Sequence, residues 1–131
     1  MARVMICDDD RLIAEKLVTA LRGAGHEAET CRHTMDMLRE AAAGRFDLIA
    51  FGVDMAGFGR AGAVDALLEI APRVPLIGLH ERPVEMMGSR REQFAAVLPR
   101  SLAIEDFMHA VACALAKVTS QRQQASARVL R

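Results

Sequence analysis

Aromatic residues are scarce in this chain: tryptophan and tyrosine are absent, and phenylalanine occurs five times in 131 residues. The basic residues Arg90, Arg91, Arg122, Arg128 and Arg131 are scattered, with no aromatic interleaving and no DNA-binding motif, and read as solvated surface. Neither sign of charge is in excess, because 17 Lys and Arg balance 17 Asp and Glu. That balance argues against a protein held mainly by nucleic-acid phosphates or by an anionic membrane. The three cysteines (Cys7, Cys31 and Cys113) are too few and too odd in number for a disulfide framework. Reduced thiols in a cytoplasmic protein are the expectation. No apolar run approaches the roughly 20 residues needed to cross a bilayer. The opening MARVMICDDD reaches three acids after seven residues, which does not suit a secretory signal. What is present is a 52% hydrophobic and 26% charged composition, enough for one domain with a substantial core.

Two kinds of segment alternate. The runs Arg3–Cys7 (RVMIC), 47–52 (DLIAFG), 74–79 (VPLIGL) and 95–98 read as buried strands, with a weaker strand over Glu27–Cys31. Helical spacing covers residues 10–24, 34–43, 63–71 and 103–118. In the first helix Leu12, Ile13, Leu17, Val18 and Leu21 fall in phase, Asp9 or Asp10 supplies a cap, and Gly23 or Gly25 a stop. Met35, Leu38 and Ala42 define the expected inner face of the second helix, and Ile104, Phe107, Val111 and Leu115 that of the last. Pro83 opens a short or irregular additional helix that Gly88 weakens. Five strands alternating with five helices predict an α/β fold with a parallel sheet covered on both faces, doubly wound through right-handed crossovers. The domain spans 1–118, and residues 119–131 form a polar tail or an extension of the last helix. That tail is too short for a further domain. Ligands of such folds sit beyond the carboxyl ends of the strands. The informative residues are therefore Asp8, Asp9, 52–54, His80 and Arg100.

At those residues the chain resembles the receiver domain of bacterial two-component response regulators, the CheY-like family, over most of its length. RVMICDDD is similar to the family's first strand and acidic pair, and FDLIAFGVDMAGFG to the third strand and its phospho-acceptor loop. VPLIGLHERP is similar to the fourth strand and its switch hydroxyl, and AAVLPRSLAIEDFMHAV to the fifth strand, the lysine-proline turn and the last helix. The resemblance implies a flavodoxin-like sheet of order 2-1-3-4-5. It also implies a chemistry in which acids hold magnesium, an aspartate takes a phosphoryl group, and a lysine and a hydroxyl bind the new phosphate.

The functional positions depart from that pattern. Asp8 and Asp9 match the acidic pair, but Gly52 stands where the phospho-acceptor is expected, His80 at the switch hydroxyl, Arg100 at the lysine and Val97 at the aromatic. Four of six positions changed suggests a domain that no longer runs the phosphorylation cycle. Arg100 can neutralise Asp8 and Asp9 permanently with its planar fork, so magnesium is expected to bind weakly or not at all. Asp54, two residues past Gly52, is the alternative acceptor if the strand continues, with a solvated loop aspartate as the simpler reading. His80 reads as a polar strand-end residue, and His26, His33 and His109 as surface residues. Cys7 and Cys31 would end adjacent strands; a redox pair is conceivable, and buried free thiols are commoner. Gly57, Gly59 and Gly62 do not match a phosphate-binding fingerprint, and Phe58 among them is a candidate partner anchor.

The expected function is a phosphorylation-independent adaptor, not an enzyme and without a resident cofactor. Its partner would be a histidine kinase or an output protein, with no nucleic acid and no membrane; self-association stays open. Its partner face would lie within residues 82–116 and include Val97, Ile104 and Met108. Two alternatives stand beside it: an active receiver phosphorylated at Asp54 with magnesium on Asp8 and Asp9, and a small-molecule module using the space vacated at Gly52.

Overall fold

The computed structural model describes residues 1–53, 61–81, 91–101 and 103–129, with Ala61 and residues 122–129 described by backbone alone. Five strands form one parallel sheet: β1 (Arg3–Cys7), β2 (Glu27–Cys31), β3 (Leu48–Gly52), β4 (Leu76–His80) and β5 (Ala96–Pro99). Their order is β2-β1-β3-β4-β5. The described helices are α1 (Arg11–Gly23), α2 (Thr34–Ala42), α3 (Ala61–Ile70) and α4 (Ile104–Val129). This is the doubly wound, flavodoxin-like arrangement that the alternation and the resemblance predict. The helix expected from Pro83, at 82–90, and the candidate residues Asp54 and Phe58, at 54–60, lie outside the described residues.

Side-chain alternation along the strands divides the core into two layers. Val4, Ile6, Leu48, Ala50, Ile77 and Leu79 pack with Leu17, Leu21, Phe107 and Val111 beneath α1 and α4. Met5, Cys7, Ile49, Phe51 and Leu76 pack with Met37, Ala41, Val64 and Leu67 beneath α2 and α3. Both faces are covered, which is why β1, β3 and β4 read as unbroken apolar runs instead of alternating ones. The same alternation carries Asp8, Gly52 and Arg100, one step past Ile6, Ala50 and Leu98, toward the α1/α4 side of the sheet's upper rim.

Local signals set the helix ends. Asp10 caps α1, its carboxylate accepting from the N–H groups of Leu12 and Ile13 at 3.1 and 3.2 Å. Gly44 follows α2 with a φ of 71°, a left-handed turn open to glycine. The phase expected for α2 is corrected: Met37 and Ala41 are its buried positions, whereas Met35 is 66% exposed and Ala42 also faces outward. Apolar residues occur on several sides of this short helix, so periodicity alone does not choose the face that meets the sheet. At the other end of the chain α4 continues unbroken from Ile104 to Val129, across the expected tail boundary.

Replacing Asp10 with Ala removes two backbone acceptor bonds at once. We expect a loss of about 1 kcal/mol, measured as a lower urea midpoint with an unchanged slope.

Candidate functional site

The sheet's carboxyl rim brings together three segments far apart in sequence. Asp8 follows β1 and is completely shielded in its side chain; Arg100 follows β5 and is 9% exposed in its side chain. The Arg100 guanidinium engages Asp8 as a fork, with Nη2 donating to Oδ1 at 2.5 Å and Nε to Oδ2 at 3.2 Å. Nη2 also donates to Asp9 Oδ1 at 3.0 Å, and Nη1 lies 3.0 Å from Glu81 Oε1. One cation thus draws in three carboxylates from the ends of β1 and β4. The Asp9 and Glu81 side chains are 55% and 60% exposed. Their bonds are worth no more than about 1 kcal/mol each, since water screens them. The Asp8 pair is shielded and geometrically matched, the arrangement in which arginine has the advantage over lysine.

The backbone holds the fork in register. The Arg100 N–H donates to the His80 carbonyl at 2.9 Å, and the Asp8 N–H to the Cys31 carbonyl at 3.2 Å. Asp8 Oδ1 accepts a further bond from the Asp10 N–H at 2.9 Å. Burial pushes the Asp8 carboxyl above its ordinary value, and the Asp10 amide and the Arg100 charge pull it back. Burial likewise opposes the charge on Arg100, but Asp8, Glu81 and Asp9 together outweigh it and raise its pKa.

Gly52, the last residue of β3, completes the rim. A Cβ built there would lie 2.8 Å from Arg100 Nη2 and 3.1 Å from Asp8 Oδ2. Position 52 therefore faces Asp8, and the guanidinium crowds the place a Cβ would take. The space beside Gly52 that the small-molecule alternative would use is occupied at this point by the Arg100 guanidinium. Magnesium prefers several oxygen ligands with waters retained. Here both Asp8 oxygens are engaged by Arg100, one Asp9 oxygen is shared with it, and position 52 offers no carboxylate. Among the described residues, this set does not fit that ion.

The remaining candidates are dispersed. His80 sits at the end of β4, tied to Arg100 through its carbonyl, and its Nδ1 is buried without a partner among the described residues. Val97 packs in the α2/α3 layer, whereas Ile104 and Met108 pack in the α1/α4 layer, so these three do not form one face. Strand alternation turns Val97 away from its neighbours Ala96 and Leu98. His26 is half-buried and accepts the Ala2 N–H at Nδ1 over 3.1 Å, which corrects its reading as a plain surface residue. The role of Glu81 was not read from sequence. Its one signal was its position just after a strand, where such folds gather their ligands.

No family model matches the chain. A response regulator receiver protein from Anaeromyxobacter sp. (strain Fw109-5) is 33% identical over 106 residues, covering 79% of this chain and 44% of the relative. The chain therefore spans less than half of that protein. The structure of a CheY-like response regulator receiver domain protein from Methanospirillum hungatei superposes with a TM-score of 0.84 at 16% identity, covering 92% of this chain and 98% of the other. A response regulator from Thermotoga maritima, solved in complex with Mg2+-BeF, superposes at 0.77 with 18% identity, covering 87% and 99%. At such identities the two structures establish the shared fold.

Replacing Arg100 with Ala leaves Asp8 shielded without its cation, and we expect a loss of about 3–5 kcal/mol near neutral pH. The folded-state pKa of Asp8 then rises further above its unfolded value. The folded protein binds the extra proton between those two values, so the variant loses stability as pH rises through that window. The gap to the parent protein should accordingly narrow toward pH of about 4, as urea titrations across pH would show.

Proposed function

Because the chain is a response-regulator receiver domain, with the fold and the strand-end acids of that family, we propose that it serves two-component signalling as a phosphorylation-independent adaptor. The observation that carries this reading is Gly52. It occupies the end of β3 facing Asp8, where a phospho-accepting carboxylate would be needed, and glycine has nothing to phosphorylate. Arg100 supports it, since its guanidinium already holds the acids that would otherwise gather around magnesium. A phosphoryl group introduces new negative charge that must find a cation. In this domain the cation is already paired with built-in carboxylates, so the rim needs no incoming charge to order it.

On this reading the output surface is preset. Its partner is another signalling protein, a histidine kinase or an output protein, and the work is done in the cytoplasm. No described helix is long and apolar enough to cross a membrane. The partner surface includes the outer side of the β5–α4 region, where Ile104 and Met108 are half-buried at the edge of the α1/α4 layer. The domain is not an enzyme on this reading, because its acids are engaged in holding Arg100.

Magnesium titration with and without beryllofluoride, followed by amide NMR, tests the proposal. We expect no saturable shifts at Asp8, Asp9 or Arg100 at millimolar magnesium. The double variant Gly52→Asp with Arg100→Lys should gain a saturable, beryllofluoride-dependent response, because the atom nearest position 52 is the movable end of Arg100. Saturable shifts in the parent protein would overturn the proposal and return attention to Asp54 as an acceptor.

A further inference from the structure

A second cluster lies beneath the same rim, on the opposite face of the sheet. Cys7 and Cys31 are direct partners in the parallel β1–β2 register. Their sulfurs are 3.4 Å apart, with the Cys7 thiol donating toward Cys31 Sγ. Cys31 Sγ also lies 3.2 Å from the His33 carbonyl. The two thiols differ in access: Cys7 is fully buried and Cys31 half-buried. Neighbouring strands run about 4.7–4.9 Å apart, inside the Cα separation of about 4.4–6.8 Å that a disulfide tolerates. The register and the 3.4 Å sulfur separation thus bring the two thiols within reach of a bridge.

We propose that Cys7 and Cys31 form a redox-active dithiol, which a peroxide oxidises to an intramolecular disulfide joining β1 to β2. Cys31 is the attacking sulfur because it is the one reagents can reach. Its thiolate attacks one oxygen of the peroxide, the O–O bond breaks, and hydroxide (or alkoxide) leaves, giving a sulfenic acid at Cys31. The Cys7 sulfur then attacks the Cys31 sulfur. The S–S bond forms, the S–O bond breaks, and the Cys7 proton leaves with the hydroxyl group as water. Two electrons pass from the dithiol to one peroxide.

Electrostatics favours this division of roles. The bond from Cys7 lowers the Cys31 thiol below its ordinary value. The same bond, together with burial, pushes Cys7 up. The accessible sulfur is thus the more readily deprotonated of the two. Cys113 stands apart: it is exposed on α4, with its sulfur 3.6 Å from His109 Nε2. The bridge would form beside the ion-paired rim, because the Asp8 N–H donates to the carbonyl of Cys31.

The test uses the full chain carrying Cys113→Ser, an exposed position, so that only the two strand thiols remain. Hydrogen peroxide is added, and thiol titration, intact mass and peptide mapping are followed. We expect free thiols to fall from two to none, the mass to fall by two hydrogens, and one disulfide-linked peptide pair to contain Cys7 and Cys31 in a monomeric product. Adding Cys7→Ser should leave a sulfenic acid on Cys31 that dimedone traps. Retention of both thiols, oxygen addition without bridging, or bridging only between molecules would overturn the proposal.

Discussion

The buried pair between Arg100 and Asp8 is the interaction on which the rim of this domain depends. It joins the end of β5 to the end of β1 across the sheet, with the Asp8 side chain fully shielded and that of Arg100 9% exposed. Desolvating two ions is costly, and such pairs persist only when geometry and extra hydrogen bonds compensate. Here the fork geometry, the Asp10 amide and the carboxylates of Asp9 and Glu81 complete the set. Removing either Arg100 or Asp8 would leave the other's charge shielded and uncompensated.

Gly52 is the counterpart of that pair. With the guanidinium lying where it does, a side chain at the end of β3 would force it to move, since a Cβ would sit 2.8 Å from Nη2. In the proposed reading the two departures from the receiver pattern, an arginine where the resemblance implies a lysine and a glycine where it implies an aspartate, form one structural solution. Each makes room for, or use of, the other. A site that ordinarily acquires its cation and its anion from solution has, in the proposed reading, both supplied by the chain.

The end of β1 shows how much chemistry four consecutive residues can separate. Cys7 enters the α2/α3 layer beside Cys31, and Asp8 turns to the other side and meets Arg100. Asp9 reaches the same guanidinium from solvent, and Asp10 caps α1. Strand alternation and one helix start account for the division. They also place a thiol pair and an ion pair on opposite faces of the sheet, with a single backbone bond between their residues.

Much of the fold could be read from the chain. Short apolar runs alternating with helical periodicity, the Asp10 cap and Gly44 at a left-handed turn are local signals, and each depends on a few neighbouring residues. The candidate positions Asp8, Gly52, His80 and Arg100 were legible for a related reason, since this topology gathers its strand ends at one rim. Sequence did not choose the buried face of α2, because Met35, Met37 and Leu38 offer competing phases and only the sheet selects among them. It did not place Val97 apart from Ile104 and Met108, nor did it bring Glu81 to Arg100. Above all, it left the pocket at Gly52 open between vacancy and closure. Whether a long side chain from β5 fills that space depends on distances across three strands, and those distances exist only in the folded protein.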